Sequence, residues 1–153
     1  MIGRVFSLLR LPFLLIVIWV VARFALGLAG VPYAPRGNAM FSVLGLSLIS
    51  SVYFGGLARK LAGLGWGGTI LVGIFIGLFA EILILIATFV SYQAHLNTYY
   101  THWDALNIPE GTTVPLARAM ATRVGGLIAG PILCTIAALI GRILSGLLPG
   151  SAK

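Results

Sequence analysis

The chain has 153 residues, of which 59% are hydrophobic and 8% charged, with a formal net charge of +7. A mean hydropathy of +1.08 leaves too little polar surface to coat a water-soluble domain. No run of several Lys or Arg forms the contiguous basic face that nucleic-acid binding requires, so lipid head groups are the expected counter-ions of the excess positive charge.

Arg4 and Arg10 precede an apolar stretch with small residues after it, the outline of a secretory signal. The apolar character resumes beyond Arg23, however, and makes residues 8–30 long enough to span a hydrocarbon core of about 30 Å. Pro32, Pro35 and Gly37 then break the chain, so a second span over residues 38–58 is expected as an antiparallel neighbour. Arg59 and Lys60, a glycine-rich stretch and the interfacial aromatic Trp66 mark a membrane face before a third span over residues 66–92.

Residues 93–123 are the one substantial stretch outside the bilayer. Leu96, Tyr99, Trp103 and Leu106 recur at helical spacing, which predicts an outer loop or interfacial helix. A turn follows at Ile108, Pro109, Glu110 and Gly111, and a short basic amphipathic stretch over residues 116–123 leads into a fourth span over residues 124–148. Pro131 within that span predicts a kink that frees the carbonyl of Leu127. The single cysteine, Cys134, lies in the same apolar run, which rules out an intrachain disulfide and assigns it to packing.

The expected fold is all-α: a polytopic integral membrane protein with four transmembrane helices in a bundle, residues 1–153 forming a single membrane domain with no soluble domain. Arg4, Arg10, Arg59, Lys60, Arg142 and Lys153 fall on one side and Arg36, Arg118 and Arg123 on the other, which predicts a cell-membrane protein with both termini cytoplasmic.

Glu81 stands in the middle of the third span with no charge near it in sequence. A carboxylate there must be protonated, paired or turned into the bundle, and such residues are functional candidates. Gly73, Gly77 and Glu81 share one stripe of the helix, so a neighbouring backbone can approach closely and meet the carboxylate one turn on. Counted from the outer ends of their helices, Arg23 and Glu81 differ in depth by roughly 6 Å at 1.5 Å per residue. An intramembrane polar pair of Glu81 and Arg23 is therefore expected, with Gly27 and Gly30 easing the approach, either fixing helix register or relaying a proton or ion. Ser47, Ser51 and Gly55 form a second packing stripe, and Gly126 with Gly130 a third.

The outer stretch offers a possible surface site of His95, Tyr99, His102 and Asp104. On one helix the two histidines would lie roughly 10 Å apart along the axis, too far to ligate one ion, so neither a metal nor a cofactor is expected. No nucleophile elbow, P-loop, dinucleotide fingerprint or zinc-protease helix occurs, which points away from an independent enzyme. Many packing devices and few chemical groups favour an accessory, assembly or structural subunit of a membrane complex or homo-oligomer. The alternative is a small proton, ion or solute transporter using Glu81; a third reading is a redox or enzyme subunit using His95 and His102.

Overall fold

The computed structural model describes residues 1–32, 42–106 and 108–147. The centre of the first break, the start of the second expected span, Arg36 and Lys153 lie outside the described residues. Among the described residues four long helices form, α1 Ile2–Leu28, α2 Val43–Ala62, α3 Trp66–Gln93 and α4 Leu116–Leu147, with a 3-10 turn at Asp104–Leu106 between the last two. Among them α1, α3 and α4 are long and apolar enough to cross a membrane. α2 is long enough but less apolar, because Arg59 and Lys60 occupy its last turn and small or polar residues, Ser47, Ser50, Ser51 and Gly55, form its buried face.

The helices alternate in direction. Arg4 near the start of α1 donates to the carbonyl of Ala62 at the end of α2, and Arg142 near the end of α4 donates to the carbonyl of Leu64 before α3. At the other end of the bundle, Tyr100 in the loop after α3 donates to the carbonyl of Val20 late in α1. Hereafter these are the Arg142 end and the loop end.

Three helices stop by the same device. Gly30, Gly63 and His95 take left-handed backbone angles (φ 71°, 59° and 52°), and the next residue's N–H returns to a carbonyl of the last turns: Val31 to Leu26, Leu64 to Ala58 and Leu96 to Ser91. Glycine adopts this conformation without a steric penalty; His95 does not. Of the two expected forms, an outer loop or an interfacial helix, the described residues here take the loop: Leu96 is irregular, Tyr99 and Trp103 lie in turns and Leu106 in the 3-10 piece, and they do not share one helical face. Residues 116–123 differ in the opposite sense, since they form the first turns of α4 and not a separate stretch.

The pair α3 and α4 makes the most extensive interface, and glycines set it. A Cβ on Gly77 would lie 2.6 Å from the backbone of Pro131, and one on Gly73 would strike the backbone of Cys134 and Thr135. On the neighbouring face of α4, Gly55 abuts the backbone of Ala138 and Gly141 abuts that of Val52. Such backbone-to-backbone seams suit helices in lipid, where dispersion replaces the hydrophobic effect as the associating force. The first helix joins α3 mainly through aromatics, with ring centroids 4.9 Å apart for Phe6 and Phe75 and 4.3 Å for Phe13 and Phe79. Ile16, Val72, Ile76 and Cys134 belong to the buried core.

Candidate functional site

At the loop end, a cavity of about 290 Å³ is lined by Arg23 of α1, Ser42 to Leu44 at the start of α2, Glu81 and Ile84 of α3, Tyr100, Asp104 and Ala105 of the loop, and Arg123 of α4. Two cations and two carboxylates thus line one space that extends from the loop to the midpoint of α3. The backbone builds it in three steps. Gly27 leaves room for the loop: a Cβ there would lie 2.7 Å from the amide nitrogen of Tyr99. Tyr99 then donates to the carbonyl of Pro32 at 3.2 Å, and Tyr100 to that of Val20 at 3.2 Å, which fastens the loop to the end of α1. Ser91 and Thr98 share a 2.8 Å hydroxyl bond that ties the loop to α3.

Arg123 enters from the first turns of α4. Its Nε donates to Oγ1 of Thr88 at 3.1 Å and its Nη2 to the carbonyl of Tyr100 at 3.4 Å. The Arg23 guanidinium lies 5.6 Å from the centroid of the Tyr99 ring and 5.8 Å from that of Tyr100, within the range of cation–π attraction. Glu81 lies along α4 where Gly126 and Gly130 have no side chains: its Oε2 occupies the space of a Cβ on Gly126, and a Cβ on Gly130 would be 2.6 Å from its Cγ.

The structure therefore brings Glu81, Arg23 and a second arginine, Arg123, to the same cavity wall. Gly126 and Gly130 make room for the Glu81 side chain, whereas Gly73, Gly77 and Gly55 receive helix backbone. Ser47 is turned inward and bonds the Val43 carbonyl of its own helix, and Ser51 is fully buried. Gly27 accommodates the loop in place of α3, and Gly30 terminates α1.

Of the expected outer-surface group, Asp104 lines the cavity, and Tyr99 and His102 lie near Arg23. His95 is exposed at the stop of α3. Among the described residues, no three His, Cys, Asp or Glu side chains gather closely enough to hold a metal ion. Nδ1 of His102 accepts a 3.2 Å bond from the amide of Asp104, which requires that nitrogen to be unprotonated. Burial lowers the His102 pKa, opposed by the Asp104 and Glu110 charges and reinforced by Arg23. Burial pushes the Tyr100 hydroxyl up to about 12 despite the opposing pull of Arg23 and Arg123, so it serves as a neutral donor.

Arg123, Thr88 and Tyr100 carry the site and have no obvious sequence signature. One signal was present: joined to the fourth helix, Arg123 falls three and seven residues before Gly126 and Gly130, on the stripe that receives Glu81. The chain matches no protein-family model, no curated protein and no solved structure.

Proposed function

We propose that this chain is a small four-span membrane protein, both termini cytoplasmic, that moves protons together with a small anion through the Glu81 cavity. The observation carrying this reading is the cavity wall, where Arg23, Arg123, Glu81 and Asp104 meet. With both carboxylates ionised, the four charges balance. Protonation of Glu81 leaves one excess positive charge, which attracts a small anion to the arginines, so proton and anion enter as a neutral pair. Toward the Arg142 end the route is closed by Gly77 against Pro131. Passage then requires α4 to shift at Pro131, a residue that removes one helical hydrogen bond at the depth of Glu81.

The test uses the purified chain in proteoliposomes holding a pH-sensitive dye, with an imposed proton gradient and either chloride or a large impermeant anion outside. The wild type should acidify the lumen faster in chloride, and Glu81→Gln should reduce the rate to that of empty vesicles. Equal rates for wild type and Glu81→Gln, or no anion dependence, would refute the reading. An accessory or assembly subunit is the alternative, and the exposed apolar face of α4, with Ile128, Ile132, Ile136 and Ile140, is where a partner would sit. Native mass determination from mild detergent separates the two, since that alternative requires a co-purifying chain or a homo-oligomer.

A further inference from the structure

The Arg142 end holds a second site, independent of the Glu81 cavity. A pocket of about 510 Å³ is lined by Arg59 and Lys60 in the last turn of α2, Trp66 at the start of α3, and Arg142 and Ser145 of α4. Three cations and no carboxylate line it. Arg142 is held in place: its Nη1 donates to the carbonyl of Leu64 at 2.9 Å and to Oγ1 of Thr69 at 2.7 Å, and its guanidinium stacks 4.6 Å from the Trp66 ring centroid. Both bonds use Nη1, so Nη2 and Nε remain as donors with no hydrogen-bond partner among the described residues. Trp66 opens α3 beside this pocket, and the helix starts without a side-chain cap, which adds the positive end of its dipole.

An apolar groove of about 430 Å³ between α2 and α4 adjoins the pocket, with Lys60 and Ser145 lining both. Val52, Tyr53, Leu57 and Leu144 form its sides, and Gly56 and Gly141 lie along it. A Cβ on Gly56 would stand only 3.1 Å from the carbonyl oxygen of Gly141, so the depth of the groove depends on missing side chains. A basic pocket at the membrane surface joined to an apolar slot running into the bilayer matches one chemistry: an acidic head group with an acyl chain attached.

We propose that this composite site binds a single anionic phospholipid, its phosphate held by Arg142, Arg59 and Lys60 and one acyl chain lying in the groove over Gly56 and Gly141. A lipid is the occupant because the basic pocket and the groove adjoin through Lys60 and Ser145; a free anion would use the pocket alone, and a second protein copy would use the groove alone.

The experiment is native mass determination of the full chain released from micelles doped with equal phosphatidylglycerol and phosphatidylcholine, repeated with excess glycerol phosphate. One phosphatidylglycerol per chain should be retained in preference to phosphatidylcholine, and glycerol phosphate should not displace it. The double variant Arg59→Gln/Lys60→Gln, at two exposed positions, should lose retention by roughly an order of magnitude. Gly56→Leu, which fills the groove, should weaken retention while the head-group charges are unchanged. Equal retention of both lipids, full retention by the double variant, displacement by glycerol phosphate, or a dimer without lipid would each overturn the proposal.

Discussion

Glu81 illustrates how a single costly residue is accommodated. Its side chain fits only because Gly126 and Gly130 are bare, and Arg123, on the helix of those two glycines, lines the same cavity. That it would be turned into the bundle was legible from its position among apolar residues; that Arg123 would join Arg23 near it was not. Arg123 looks like a loop residue until residues 116–123 are known to be helical. His102 yields a prediction at this scale. Its folded pKa lies below the ordinary 6.5, so on acidification through that value the unfolded chain binds a proton the folded chain resists. Thermal stability in detergent should therefore fall between neutral pH and about pH 5, and His102→Gln should flatten that part of the profile. A wild-type profile already flat over this range would contradict the assignment.

Among the elements, helix ends and helix seams make the clearest demands. His95 is a non-glycine residue at a left-handed stop, a conformation costing L-residues roughly 1–2 kcal/mol. His95→Gly should raise the melting temperature, and His95→Val should lower it, because a β-branched side chain is least tolerant of positive φ. Scanning calorimetry or a fluorescence melt reads both. Spacing alone left an interfacial helix open beyond this point, since Leu96, Tyr99, Trp103 and Leu106 have the right period; the stop lies in one backbone angle, which periodicity does not report. At the α2–α4 seam the obstacle to a side chain is backbone, so Gly55→Ala should cost at least about 1–3 kcal/mol, the usual range for overpacking. Gly3 has open space around the position of a Cβ, so Gly3→Ala provides the matched control, with little change expected. A Gly55→Ala variant as stable as that control would mean the seam can open.

The whole molecule poses the question of how many times the chain crosses. Four alternating helices with Arg59, Lys60 and Arg142 toward one end place Val31, after α1, and Gly65, after α2, on opposite faces if α2 spans the bilayer. With Cys134 replaced by Ala, single cysteines at Val31 and Gly65 should be labelled by an impermeant thiol reagent from opposite sides of sealed vesicles, Val31 from outside the cell. Labelling of both from one side would show that α2 does not cross.

The sequence by itself determined that the chain is helical and membrane-borne, that Glu81 must be protonated, paired or turned into the bundle, and that glycine stripes would bring helices close. Those properties are local: they follow from apolar run length, from the cost of a charge in hydrocarbon and from residues one turn apart on a helix. Only the tertiary structure decided which backbone each glycine meets, that Gly126 and Gly130 receive a side chain, and that Arg23, Glu81, Asp104 and Arg123 share one cavity. Those facts depend on how separate helices rotate and slide against one another, which is set by the sum of many small packing contacts and is not written in the spacing of any one segment.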